Sequence, residues 1–269
     1  MTAALPPVAH AALAAFVGTW SSPLTAQDDP GWSAADFFCF TGCTPAGREA
    51  IAALLRDKAN AARSAVQLFP QAADIDASHA ARALAPSAAA RAASGGPPPG
   101  GTRFACAADG FAAQVLSPLP LAIEQAAGRV VLRYEEFGVR RVIGLDGGHQ
   151  HRAEAPLGAS RARLDGGALV IETSGIPPGR LYAAFGGLPH GERLRAVERY
   201  TMSPDGRWLD LALELVDPDV LAAPLVVSKR WRRTVGATLR AHGCDPLSAG
   251  LAGVVFEYLD PAKVDARRH

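Results

Sequence analysis

Residues 194–216 read LRAVERYTMSPDGRWLDLALELV and carry the clearest structural pattern in the chain. Apolar and polar residues alternate on both sides of Ser203-Pro204-Asp205-Gly206, a sequence typical of a tight turn. Alternation with a period of two predicts strands that each bury one face. We therefore expect an antiparallel β-hairpin here.

Similar runs recur at intervals of about eight to twelve residues, as in a meandering sandwich or barrel. The connections look too short for crossover helices, so the neighbours are predicted to be antiparallel. With a strand at Trp20 the set reaches about nine, and such sets commonly close on themselves. The predicted fold is an all-β antiparallel barrel of about eight to ten strands, built from runs at 121–125, 129–137, 140–146, 161–164, 168–174, 194–202, 208–216 and 225–233.

The composition is that of an ordinary globular protein. Of the 269 residues, 49% are hydrophobic, and 27 basic side chains against 26 acidic ones give a net charge of +1. A charge this small excludes a broad electrostatic surface for nucleic acid or anionic lipid. No apolar run approaches the roughly 18 residues that span a bilayer. We expect no nucleic-acid partner and no membrane span.

The chain is expected to form a single domain, residues 1–269. Helices are predicted after the cap at Thr44-Pro45, at 59–68 and at 78–93, all before most of the strands. The domain then has four zones: a first strand (1–32), an N-terminal α-helical insertion or lid (33–101), the barrel (102–235) and a C-terminal extension (236–269).

The four cysteines are too few and too scattered for a disulfide framework: Cys39, Cys43, Cys106 and Cys244. Cys39 and Cys43 are spaced more widely than a usual metal-ligand pair, and no second close pair completes a zinc site. Buried thiols and one or two disulfides both stay open.

Gly18-Thr19-Trp20 follows a short predicted helix and opens the first strand. This triplet resembles the G-x-W signature of lipocalins and related calycin barrels. In those families the tryptophan closes the barrel bottom against an arginine of the last strand. The resemblance implies a lipocalin-like barrel here and places that arginine within Lys229-Arg230-Trp231-Arg232-Arg233. Because calycin barrels include carriers as well as isomerases, cyclases and hydratases, it implies no single activity.

Residues 106–233 are similar to a family of exported bacterial proteins of uncharacterised function. The similarity lies in stretches such as VVLRYE (130–135), RVIGLDG (141–147) and DGGALVIETSG (165–175). That family has Gly-His-Ser where this chain has Gly158-Ala159-Ser160, so any role of that histidine is absent here. The resemblance implies an exported or periplasmic protein. Residues 1–15 lack the charged start of a secretory signal, which leaves a cytoplasmic location open.

Strand alternation predicts which side chains point into the barrel, because residues two apart share a face and the more apolar face lines the core. Glu172 falls on the outward side. The apolar lining residues, which we predict to contact a ligand, are Leu132, Ile143, Met202, Leu211, Leu213 and Trp231. The polar residues that interrupt this lining are Tyr134, Glu136, Arg141, Glu198, Tyr200 and Lys229.

Two interpretations fit these polar residues. The two carboxylates and two cations sum to zero, so they could form a buried ion-pair network that fixes the strand register. Alternatively, burial shifts the pKa of a glutamate or of Lys229 towards neutrality and prepares it for proton transfer, with a tyrosine as acid or hydrogen-bond donor. His151, expected at the barrel rim, is a further candidate acid or base. His149 and His151 have H-x-H spacing, but no anchored carboxylate accompanies them, so no metal site is predicted.

The sequence contains no phosphate-binding, dinucleotide-binding, serine-hydrolase or zinc-protease motif. The first functional hypothesis is a cofactor-independent lyase, hydratase or isomerase that acts on a hydrophobic aromatic or terpenoid molecule inside the barrel. The alternative is a lipocalin-type carrier of such a molecule. The number of ionisable groups inside favours the enzyme, because a carrier of apolar ligands gains nothing from burying them. Both hypotheses expect a hydrophobic small molecule as partner, and a homodimer stays open.

Overall fold

The predicted hairpin at residues 194–216 forms. A computed structural model of the chain describes residues 7–25, 28–88, 110–145, 151–152, 157–181 and 189–240. The two strands pair antiparallel, with Arg195 opposite Val216 and Met202 opposite Leu209. In the turn, the Ser203 hydroxyl accepts a hydrogen bond from the Trp208 backbone N–H at 2.9 Å.

The strands with described bounds are, in chain order, β1 (Gly18–Ser21), β2 (Leu121–Ala126), β3 (Arg129–Tyr134), β4 (Arg140–Leu145), β5 (His151–Arg152), β6 (Ala159–Asp165), β7 (Ala168–Ser174), β8 (Gly179–Arg180), β9 (Pro189–His190), β10 (Arg195–Met202), β11 (Trp208–Val216) and β12 (Leu225–Arg233). Nine of them close a barrel in the order β1-β2-β3-β4-β6-β7-β10-β11-β12, with β12 pairing back to β1. β5 pairs with the start of β6, and β8 and β9 form a separate ribbon.

One pair of barrel strands is parallel, so the prediction of a purely antiparallel barrel is wrong. β4 and β6 run in the same direction, with Gly144 opposite Arg161 and Leu145 opposite Ala162. The reason is that nine is an odd number. In a closed ring of nine strands the neighbours cannot all be antiparallel, so one pair must be parallel. Residues 146–158 are long enough to let the chain return along the barrel, which the prediction overlooked.

Alternation places the predicted apolar face of each long strand inside the barrel. Leu132, Ile143, Leu211 and Leu213 are buried in one core cluster that runs around the ring. The strand predicted at 129–137 is too long, however. β3 ends at Tyr134, and a 3₁₀ turn at Glu136–Gly138 follows, in which Phe137 has a left-handed backbone with φ of 58°. Alternation therefore stops before Glu136, whose side chain is half-buried.

Trp20 closes one end of the barrel through the contact that the calycin resemblance implies. Its ring is fully buried, and the guanidinium carbon of Arg233 on β12 lies 4.2 Å from the ring centre. Arg233 also donates hydrogen bonds to the backbone carbonyls of Val17 and Gly206, each at 2.9 Å. Gly18 makes room for the arginine, because a Cβ at this position would lie 2.9 Å from Nη1.

The helices with described bounds are α1 (Pro7–Ala14), α2 (Ala34–Phe38), α3 (Pro45–Arg56), α4 (Ala65–Ala81) and α5 (Phe111–Val115), with further 3₁₀ turns at Pro23–Thr25 and Lys58–Asn60. The predicted cap of α3 is confirmed: the Thr44 hydroxyl accepts from the Gly47 N–H at 3.0 Å. The helix predicted at 59–68 has the wrong start, because a capping box at Ser64 starts α4. The helix predicted at 78–93 overlaps only the end of α4, and its last five positions, 89–93, lie outside the described residues. None of the described helices is long and apolar enough to cross a membrane.

A second apolar cluster joins α2, α3 and α4 and fastens them to the barrel. It contains Ile51, Leu68 and a disulfide between Cys39 and Cys43, whose Cα atoms are 5.2 Å apart. Cys43 also forms two backbone hydrogen bonds with Ser228, at 2.9 and 2.7 Å. These bonds attach the cluster to β12. Cys106 and Cys244 lie outside the described residues.

Candidate functional site

An ion pair lies fully buried inside the barrel. Arg141 on β4 and Glu198 on β10 meet through two hydrogen bonds, Nη2 to Oε1 at 2.7 Å and Nη1 to Oε2 at 3.0 Å. Neither side chain is more than 1% exposed. Two parallel bonds of this kind are the strong form of an arginine–carboxylate contact.

Two hydroxyl groups, on strands that lie between β4 and β10, accept hydrogen bonds from Arg141. Nη2 donates to Ser160 on β6 at 3.1 Å and to Thr173 on β7 at 3.2 Å, and the two hydroxyl oxygens are 2.9 Å apart. The sequence-based analysis did not include either residue in the site. A signal was present, because Thr173 shares the inward face of β7 with Leu169 and Ile171.

Two tyrosines complete the network. Arg141 Nη1 donates to Tyr134 Oη at 3.1 Å, and Tyr200 Oη donates to Glu198 Oε2 at 2.7 Å. Burial raises the pKa of Tyr134 to about 12. Burial, followed by the negative charge of Glu198, raises the pKa of Tyr200 well above its usual value. Both phenols are therefore neutral at physiological pH.

The cation of the network, Arg141, is held in its charged form. Burial by itself lowers the pKa of Arg141, but the Glu198 carboxylate and its hydrogen bonds outweigh that effect and raise it. The guanidinium stays charged. Its Nη1 and Nη2 and the Tyr200 hydroxyl all donate hydrogen bonds to the two carboxylate oxygens of Glu198. This arrangement favours the interpretation of these four residues as a network that fixes the barrel.

Lys229 lies apart from that network, on the inward face of β12. Its Nζ donates to the backbone carbonyl of Leu116 at 2.8 Å and to that of Ser117, and it lies 4.5 Å from the centre of the Trp231 ring. Burial lowers the pKa of Lys229 well below its usual value, and the charge of Glu136 opposes this only partly.

The helix α5 lies in the interior between Arg141 and Lys229. The guanidinium carbon of Arg141 lies 5.3 Å from the centre of the Phe111 ring at the start of α5, and Lys229 binds the carbonyls just after its end. Phe111 has no exposed surface, and neither do Leu213 and Val227 on the inward strand faces. The prediction placed residues 102–235 in the barrel, with the first of these strands at 121–125, and it did not include this helix. Side chains of α5 and of the described strands thus fill the space between them.

Three buried polar atoms beside α5 have no hydrogen-bond partner within the described part of the chain. They are Nε of Arg141, Nε1 of Trp231 and Oε1 of Gln114, two donors and one acceptor. An unpaired buried polar atom costs about 1–3 kcal/mol. Such atoms are rare in folded proteins and call for a specific explanation.

The structure thus brings together most, but not all, of the predicted site residues. Tyr134, Arg141, Glu198 and Tyr200 form one network, with Lys229 beside Trp231. Glu136 contacts the site through its backbone carbonyl, 3.5 Å from Gln114 Nε2. The backbone of His151 lies opposite Ser160, but its side chain and the whole of His149 lie outside the described residues. Of the predicted ligand contacts, Met202 is half-buried and the other five are buried: Leu132, Ile143, Leu211, Leu213 and Trp231.

No protein-family model matches the chain, and no curated protein matches it. The closed nine-stranded barrel is consistent with a calycin-like barrel. Within the described residues, no three histidine, cysteine, aspartate or glutamate side chains are grouped so that they could hold a metal ion.

The lowered pKa of Lys229 predicts a specific pH dependence. A lysine whose pKa is lowered by folding binds fewer protons in the folded state than in the unfolded state, so stability rises with pH up to the unfolded pKa of about 10.4. We expect the free energy of unfolding to rise more between about pH 7 and pH 10 in the wild type than in Lys229→Met. Urea unfolding followed by circular dichroism at several pH values measures both slopes.

Lys58→Met is the matched control, because Lys58 is exposed. Its stability should follow the wild-type pH dependence. Equal slopes for the wild type and Lys229→Met would contradict the prediction.

Proposed function

We propose that this chain is a lipocalin-like binding protein that holds a small, mainly apolar molecule inside its barrel. The observation that carries the proposal is the pair of unpaired donors inside the barrel, Nε of Arg141 and Nε1 of Trp231. Hydrogen-bond acceptors on a bound molecule could satisfy both. The apolar side chains around them, such as Leu132 and Leu213, would contact its hydrocarbon part.

The lipocalin-like part of the proposal rests on the closed end of the barrel. The Trp20–Arg233 contact joins the first and last strands, as in the calycin signature. Binding inside such a barrel requires space that α5 now occupies, so the proposal includes displacement of α5 by the ligand.

A neutral fluorescent probe tests this function. N-phenyl-1-naphthylamine, which emits strongly only in apolar surroundings, is expected to bind the wild type saturably with one molecule per chain. Trp231 should transfer excitation energy to a probe inside the barrel, so Trp231→Phe should reduce that transfer.

Trp208→Phe is the matched control for this experiment. Trp208 points to the outer side, where its Nε1 donates to the Pro30 carbonyl at 2.9 Å. The variant should lose less energy transfer than Trp231→Phe. Absence of saturable binding, or a larger loss in Trp208→Phe, would count against binding inside the barrel.

The second candidate function is the cofactor-independent acid/base enzyme, a lyase, hydratase or isomerase for a hydrophobic molecule. Lys229 favours it, since an amine whose pKa is lowered can accept a proton near neutral pH. The raised tyrosine pKa values and the paired Glu198 support it less. If it holds, Lys229→Met abolishes conversion of a bound molecule but leaves its binding within a few-fold of the wild type; loss of both together would favour a carrier.

We also propose that the protein works in the periplasm or outside the cell. The Cys39–Cys43 disulfide supports this, because disulfides persist mainly in oxidising compartments. Recovery of the protein of the source cells in the cytoplasmic fraction, with both cysteines reduced, would contradict it.

A further inference from the structure

The acidic and basic side chains on the inward faces of the barrel are unequal in number. Among the described strands, these side chains are Arg141, Glu198 and Lys229, two bases and one acid. Arg141 and Glu198 neutralise each other through two hydrogen bonds. Lys229 is the remaining base, and its polar contacts within the described residues are two neutral carbonyl groups.

The helix α5 combines apolar side chains in the core with carbonyl oxygens on Lys229, the same combination that an amphiphilic molecule offers. Its apolar side chains, among them Phe111, Val115 and the following Leu116, belong to the same core as the inward strand faces. Just after its end, the carbonyl oxygens of Leu116 and Ser117 accept hydrogen bonds from Lys229. A carbonyl oxygen carries only part of an elementary charge, so it stabilises an ammonium group less than a carboxylate does.

We infer that the ligand of the barrel is a hydrophobic carboxylic acid whose carboxylate binds Lys229 in place of the Leu116 and Ser117 carbonyls. This inference rests on the proposed binding function and names the ligand class. The hydrocarbon part of the acid takes the place of the apolar side chains of α5. The helix is released from the interior when the acid binds.

Binding of such an acid is coupled to proton uptake by Lys229. Burial lowers the pKa of Lys229, and a carboxylate against its Nζ favours the charged form again. Glu136, in the turn after β3, acts on this lysine and favours its charged form. The Tyr200 ring lies 6.4 Å from the ring of Trp231, which Lys229 contacts. The tyrosines stay neutral through moderately alkaline pH, because their pKa values are raised.

Decanoate and 1-decanol form the test pair, since they share a chain length and differ in charge. In displacement of N-phenyl-1-naphthylamine at about pH 8.5, decanoate should bind at least about tenfold more tightly than decanol. Calorimetry in two buffers of different ionisation enthalpy should show proton uptake with decanoate and none with decanol. Amide hydrogens of α5 should exchange faster with decanoate bound, while those of α3 stay unchanged.

Two substitutions assign the effect to Lys229. Lys229→Met should lose both the preference for decanoate and the proton uptake. Lys229→Arg, whose guanidinium stays charged, should keep the preference for decanoate over decanol without proton uptake. This variant provides the test if the methionine variant does not fold. The exposed Lys58→Met should behave as the wild type.

The outcomes separate this inference from the function on which it rests. Equal affinity for decanoate and decanol without proton uptake would overturn the inference and leave a binding protein for neutral molecules. Preference for decanoate that survives in Lys229→Met would place the carboxylate elsewhere and also overturn it. If neither compound nor the fluorescent probe binds, the proposed function itself fails.

Discussion

Replacing Arg141 by methionine is expected to lower the free energy of unfolding by about 3–5 kcal/mol. The substitution leaves Glu198 buried and unpaired, and it also removes the donor to Tyr134, Ser160 and Thr173. A buried carboxylate without its cation carries most of its desolvation penalty uncompensated. Guanidinium chloride unfolding at neutral pH, followed by circular dichroism, measures the loss.

The double variant Arg141→Met/Glu198→Leu tests the physical reason. Because it removes both charges, it should recover much of the stability that the single variant loses. Arg161→Met is the matched control: Arg161 lies on β6 beside Ser160, pairs with Glu172 on the outer face and is 65% exposed. Exposed ion pairs contribute at most about 1 kcal/mol. A loss in Arg141→Met no larger than that in Arg161→Met would show that the buried pair does not hold the barrel.

The second large effect is expected at the closed end of the barrel. Trp20→Ala should lower the free energy of unfolding by about 3–5 kcal/mol, the range for large aromatic side chains removed from a core. Trp20 has no exposed surface, and its Nε1 donates to the Phe16 carbonyl at 3.0 Å. The substitution also removes the ring against which Arg233 lies. The same unfolding measurement applies.

Trp32→Ala provides the comparison, since Trp32 is half-buried in the loop before α2 and donates to the Pro23 carbonyl. It should cost clearly less than Trp20→Ala. Because Trp20 and Arg233 are in contact, Trp20→Ala and Arg233→Met should together cost less than the sum of the single losses. Strict additivity would show that the two side chains do not act as one unit.

The inward faces of the strands could be predicted from the sequence because alternation is a local property. Leu209, Leu211, Leu213 and Leu215 follow one another at every second position, and β-geometry puts such residues on one side. The same rule placed Arg141 and Glu198 inside the barrel. It could not place Glu136, because the left-handed backbone at Phe137 ends the strand first.

The contacts within the site could not be predicted in this way. Arg141 and Glu198 are separated by 57 positions, and their contact depends on how many strands lie between β4 and β10 in the closed ring. The prediction also grouped two acids and two cations into one neutral set, although Lys229 lies apart from the network. Its partners are backbone carbonyls at the end of α5. Every residue has a backbone carbonyl, so the residue types do not indicate which one Lys229 contacts.

Local sequence patterns were sufficient to predict about nine short alternating strands, a first strand that opens with Gly18-Thr19-Trp20, and the side chains that point inward. These properties depend on neighbours along the chain, which the sequence shows directly. Three features depend on the tertiary structure: β4 and β6 are parallel, α5 lies in the interior, and among the described residues no carboxylate forms an ion pair with Lys229. Those depend on ring closure and on long-range contacts, which no local pattern specifies.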